Sequence, residues 1–117
     1  MKTAKLDDFK RGWVVGLFEP SLLKTNMEVG IMRYKVHEVS PLHYHKEADE
    51  INIIIEGSAE FYFPDTNDCL VLNKNDILVI EKNEKVRFTS LEEGTTLCVV
   101  KSASLPGDKY FPTKEKN

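Results

Sequence analysis

No stretch of this 117-residue chain is apolar for long enough to span a bilayer or to serve as the core of a signal peptide, so a soluble, cytoplasmic protein is expected. Cysteine is scarce too. Cys69 and Cys98 each sit singly inside an apolar run without CxxC spacing, which argues against a thiol redox motif or a zinc knuckle and predicts buried, reduced thiols. The chain also lacks a basic stripe. Its 16 Lys and Arg are scattered among 19 Asp and Glu for a net charge of −3, so neither nucleic acid nor a membrane is an expected partner. Helical periodicity, internal repeats and linkers are missing as well, which leaves one domain. A chain of this length buries roughly two thirds of its unfolded surface in a single core without needing a metal or disulfide to fold.

What is present is a succession of short runs rich in Val, Ile, Phe, Tyr and Thr, separated by polar clusters, the pattern of an all-β sandwich or barrel. Strands are predicted over residues 13–18, 27–37, 42–45, 50–56, 59–63, 69–72, 77–80, 85–89 and 95–102. Between them lie turn-forming clusters such as 64–68 and 73–76. Gly57 is expected to make a tight hairpin, because it can supply the positive φ that such turns need. A helical turn is expected over 20–24, and the charged residues 114–117 read as a frayed end.

The chemistry concentrates in the segment HYHKEADEINIIIEG, residues 43–57. In an extended strand, side chains two apart share a face, so His43 and His45 can aim two imidazoles at one point while Tyr44 faces away. Glu50, arriving on the next strand, adds a carboxylate. Two imidazoles and a carboxylate suit divalent Fe, Mn, Ni or Zn. Asn52 shares the Glu50 face and either orients it or meets a ligand. On the strand before His43, alternation turns either Tyr34 or the pair Arg33 and Lys35 inward. Tyr62 is a further candidate for the cavity wall, and His37 for an extra donor.

With these residues in place, the chain resembles the cupins, small β-barrels whose first motif has the form G-x5-HxH-x3,4-E-x6-G. His43-Tyr44-His45, Glu50 and Gly57 keep its second half, and His37 stands at the leading glycine. The family's second motif, roughly G-D-x4-P-x-G-x2-H, falls on residues 75–86. Asp76 is retained, Glu81 and Asn83 replace proline and glycine, and Val86 takes the place of the last metal-binding histidine. The resemblance implies a double-stranded β-helix, or jelly-roll barrel, over 27–102, with 1–26 as a lead-in packed against it and 103–117 as a tail. It further implies a homodimer, in line with the apolar first strand and open sheet edges.

For function, the resemblance implies a metal held by His43, His45 and Glu50, one ligand short of the family set. A pocket of Tyr34, Asn52, Tyr62 and Val86 would receive a small polar metabolite. As an enzyme it would be a metal-dependent oxygenase, isomerase or lyase. The alternative is a metal-free module for a sugar-like ligand, with Glu50 and the histidines as hydrogen-bonding groups or as an acid and a base. If metal is central, His45→Ala is expected to abolish its binding with little loss of folding.

Overall fold

The computed structural model describes residues 1–105 and 107–112, and the predicted frayed end at 114–117 lies outside them. Among the described residues the chain forms eight strands and no α-helix: β1 (Trp13–Val15), β2 (Glu28–Tyr34), β3 (Glu50–Glu56), β4 (Ser58–Phe63), β5 (Asp68–Asn73), β6 (Ile77–Ile80), β7 (Arg87–Ser90) and β8 (Thr95–Lys101). They build a five-stranded sheet in the order β1-β2-β8-β3-β6 and a three-stranded sheet in the order β5-β4-β7. Every pairing between these strands is antiparallel. The inward positions of both sheets meet in one core of Ile54, Ala59, Phe61, Ile80, Val86, Phe88, Leu97 and Val99. Two-residue alternation explains this set: Ile54 follows Asn52 and Glu50 on one face, and Leu97 and Val99 lead to Lys101.

Turn chemistry sets the corners. Asn67, Asn75 and Asn83 all take the left-handed backbone conformation, as glycine would, with φ of 56, 75 and 67°. His37 does the same at φ 63° and is exposed. It therefore serves as a backbone corner where the family motif has glycine and does not reach the cavity. Gly57 has the expected positive φ of 81°, and a Cβ there would lie 2.4 Å from Thr95 Oγ1. Its corner is nevertheless not a hairpin, because β3 and β4 belong to different sheets. The close approach of the Thr95 side chain leaves room only for glycine where the chain crosses between them.

Three other expectations change. Residues 42–45 form isolated bridges, His43 to Val86 and Tyr44 to Tyr110, because their hydrogen bonds go to two different segments and Pro41 offers no donor. The predicted helical turn over 20–24 does not form, and Leu23 instead makes a bridge to Val15. Leu22 N–H donates to Val14 C=O at 2.8 Å and Gly16 N–H to Leu23 C=O at 3.1 Å, so the segment folds back on β1. Cys69 is exposed rather than buried, since β5 is an edge strand and Cys69 opposes Tyr62 on its outer face, while Cys98 is half-buried.

Leu97 is 1% exposed at the centre of the core. Leu97→Ala is expected to destabilise the fold by about 2–5 kcal/mol, read from urea unfolding followed by tryptophan fluorescence.

Candidate functional site

Register brings three charged side chains into one row. Lys101 on β8 pairs with Glu28 on β2 and with Glu50 on β3, and all three lie on the face that carries Leu97 and Ile54 deeper in the barrel. Lys101 Nζ is 3.7 Å from Glu28 Oε1. Burial by itself would push the Glu50 carboxyl up. The adjacent His45 ring, the Asn52 amide and the Lys101 charge outweigh burial and hold it below the usual carboxylate range.

His43 and His45 reach this row from the bridge segment, on the same side as the pleat requires, and Tyr44 turns away to stack on Tyr110. Both rings are fixed by backbone carbonyls. His43 Nδ1 donates to Pro41 C=O at 2.8 Å, and His45 Nδ1 donates to Asp108 C=O. A carbonyl only accepts, so each Nδ1 carries the proton and each Nε2 is left with a lone pair in the neutral ring. Burial pushes the His43 pKa below its ordinary value, against the pull of the Pro41 carbonyl, and so favours that neutral form. His45 Nε2 is buried without a hydrogen-bond partner, although Glu50 Oε1 lies 3.2 Å away. The two are within ion-pair distance, and the ring is the strongest of the influences that hold the Glu50 carboxyl low. Asn52 Nδ2 donates to the other oxygen of Glu50 at 2.9 Å.

Asp108, which no spacing or periodicity in the sequence singles out, organises this corner. Its main-chain carbonyl orients His45, and its carboxylate accepts the N–H groups of Lys46, Glu47 and Ala48 at 2.9–3.1 Å. Asn83 N–H donates to His45 C=O at 2.7 Å from the opposite side. The loop between His45 and Glu50 is thereby clamped by residues 38 and 63 positions away.

The site opens into a cavity of about 190 Å³ lined by His43, His45, Glu50, Asn52, Tyr34 and Val86 together with core side chains and the cations Lys101 and Lys109. Tyr34 takes the inward position and packs on Phe88 with centroids 4.5 Å apart, while Arg33 is exposed. Tyr62 does not reach the cavity. Phe61 occupies the inward position of β4, and Tyr62 lies on the outer face under the Arg87 guanidinium. Lys101 was legible by alternation from Leu97 and Val99. Lys109 lies on an irregular segment with no such signal.

The donor chemistry fits a divalent ion: two Nε2 lone pairs, one of them buried and unpartnered, beside a free carboxylate oxygen. Among the described residues, however, no three His, Cys, Asp or Glu side chains are already drawn into a ligating cluster. His45 and Glu50 are adjacent, whereas the His43 ring stands edge-on to His45 with centroids 5.5 Å apart. Val86, bridged to His43 through backbone hydrogen bonds of 3.1 and 2.9 Å, fills its corner with an apolar side chain.

No family model and no curated protein matches the chain. By structure it is similar to the DMSP lyase DddQ from Ruegeria pomeroyi DSS-3, with a TM-score of 0.71 and 16% identity over 98% of this chain and 63% of that one. A sugar phosphate isomerase of the cupin superfamily from Silicibacter pomeroyi DSS-3 gives a TM-score of 0.66 and 20% identity over 78% of this chain and 59% of that one. Oxalate decarboxylase from Bacillus subtilis, which has Mn(II) centres, gives 0.58 and 23% over 68% of this chain and 22% of that one. The chain thus spans less than two thirds of each.

Burial, then the Glu50 and Glu38 charges, push the Tyr34 pKa up to about 12. The Tyr34 hydroxyl is therefore expected to ionise near pH 12, above its ordinary value of 10.0, in an ultraviolet titration, with Tyr34→Phe removing that step.

Proposed function

With the cupin fold that these likenesses establish as the frame, we propose that the chain binds a divalent metal through His43, His45 and Glu50 and acts on a small polar metabolite in the adjoining cavity. The observation that carries this reading is the buried, unpartnered His45 Nε2 facing a carboxylate oxygen at 3.2 Å. Two acceptors so placed are favourable only with a cation between them, on the ring or from outside. Fe, Mn, Ni and Zn all accept this donor set. A bound divalent ion would polarise a substrate oxygen or activate water or dioxygen.

The protein's own groups do the rest. Asn52 and Lys101 keep Glu50 ionised, as a ligand must be. Tyr34 presents a hydroxyl that stays protonated at neutral pH and can donate to a ligand oxygen. Glu50 is the group placed to carry a proton if it is not a ligand. The structural neighbours include a lyase and an isomerase, in line with such chemistry on this barrel. A metal-free binding barrel is the second reading, favoured by Val86 and by the distance of His43 from the His45–Glu50 pair.

Assembly belongs to the same proposal. The outer face of the five-stranded sheet presents Val29, Val100, Ile51, Ile53, Val79 and Ile77, which adjoin one another in register across β2, β8, β3 and β6. Ile77 is 63% and Val79 54% exposed. At about 4.8 Å per strand the apolar face is about 15 Å wide, and patches of this kind mark interaction sites. None of these residues carries a charge to select an unlike partner, and the same face on a second copy is complementary about a two-fold axis. A homodimer is the assembly this face fits.

Elemental mass spectrometry of protein purified without chelators is expected to find near-stoichiometric Fe, Mn, Ni or Zn, and at least tenfold less in His43→Ala. Unchanged uptake in that variant would sink the ligand assignment, and no uptake by the wild type after incubation with each ion would leave the metal-free reading. His45→Ala is expected to lose metal as well but, contrary to the sequence expectation, to cost about 1–3 kcal/mol of stability in urea, since it leaves the Asp108 carbonyl without its donor. Light scattering should give twice the chain mass for the wild type and the chain mass for Val79→Glu; a Val79→Glu dimer would move the interface elsewhere.

A further inference from the structure

Trp13, Lys101 and Lys109 line two cavities at once: the inner one that holds His43, His45 and Glu50, and an outer one of about 550 Å³ that also includes Arg11. They are the boundary that the two share. Three cations, Arg11, Lys101 and Lys109, therefore line the outer cavity that adjoins the proposed metal site. The acids along the outer cavity are already engaged. Glu28 Oε2 accepts the Ser104 hydroxyl at 2.9 Å while Oε1 faces Lys101, the Asp108 carboxylate is filled by three backbone N–H groups, and Glu19 pairs with Lys24. Among the described residues, neither Arg11 nor Lys109 has a carboxylate within ion-pair distance.

We propose that the metabolite is an oxyanion, a small organic acid or a phosphate ester, whose charged group is held by Lys109 and Arg11 at the mouth while its other end reaches His43, His45 and Glu50. This rests on the reading of the cavity as the ligand site. Charge bookkeeping supports it: Arg11, Lys101 and Lys109 balance Glu28, Glu50 and Asp108, so a bound divalent ion would leave the site net positive. Burial, then the nearby Lys101 and Arg11 charges, disfavour the Lys109 ammonium, and Glu50 offsets them only in part, so an anion arriving there would relieve it. Trp13, with Lys101 5.0 Å from its ring, gives both cavities an apolar wall for the carbon skeleton of such a ligand.

The test is calorimetric titration at low salt of the protein as purified, with succinate, its uncharged diamide succinamide, and inorganic phosphate, and with metal content measured on the same sample. Succinate or phosphate is expected to bind at least tenfold more tightly than succinamide, and Lys109→Gln with Arg11→Gln to weaken that binding at least tenfold while metal content stays the same. Competition between phosphate and succinate supports a shared oxyanion site, and binding of only one assigns the head group as phosphate or carboxylate. Equal affinities for succinate and succinamide with no phosphate binding, or anion binding unchanged in the double variant, would overturn the inference even where metal is present. Anion binding lost in the double variant, but found in wild-type protein that takes up no metal after incubation with each ion, would uphold it and overturn the metal reading instead.

Discussion

The geometry of the site hangs on Asp108. A single residue uses its main-chain carbonyl to set the tautomer and direction of His45 and its carboxylate to collect three consecutive N–H groups of the loop that follows. A loop between two candidate ligands would otherwise present those donors to water and let the histidine swing. Hydrogen bonds to an ionised acceptor are among the stronger ones, and here they are buried or part-buried, so the loop is held firmly beside His45. The clamp also ties the segment after β8 to the barrel mouth, bringing Lys109 to the rim beside Lys101.

Around this clamp the cavity is divided by polarity. Its deep end is core: Leu97, Val99, Phe61, Ile80 and Val86 are all nearly closed to solvent. Its mouth is charged, with Glu28, Lys101 and Glu50 side by side across three strands. A histidine at position 86 would extend the polar zone inward, whereas valine extends the apolar one and leaves two imidazoles and a carboxylate at the boundary. The low-dielectric floor strengthens every interaction made above it, which is why burial moves His43 and Tyr34 as far as it does.

Much of this was legible along the chain, for identifiable reasons. β3 and β6 fall on their predicted bounds because alternating apolar residues are flanked there by turn chemistry. The inward placement of His43, His45, Glu50 and Asn52 follows from the same two-residue period, as does Lys101 in line with Val99. Asn83 could stand in for glycine because asparagine tolerates positive φ. The reading failed where partners are distant. Tyr62 and Phe61 are both aromatic, and only the pairing of β4 with β7 decides which of them faces in. The strand expected at 42–45 dissolved into two bridges because its partners, Val86 and Tyr110, lie in different parts of the sequence.

The division follows from the range of the forces involved. Local sterics, alternation and turn preference act over a few residues, so the sequence by itself determined an all-β chain, its corners, and the face on which the histidines and Glu50 lie. Contacts between segments tens of residues apart depend on how the sheets close. Only the tertiary structure could place Asp108 behind His45, turn His37 into a backbone corner, send Gly57 across from one sheet to the other, and gather Arg11, Lys101 and Lys109 around a single cavity.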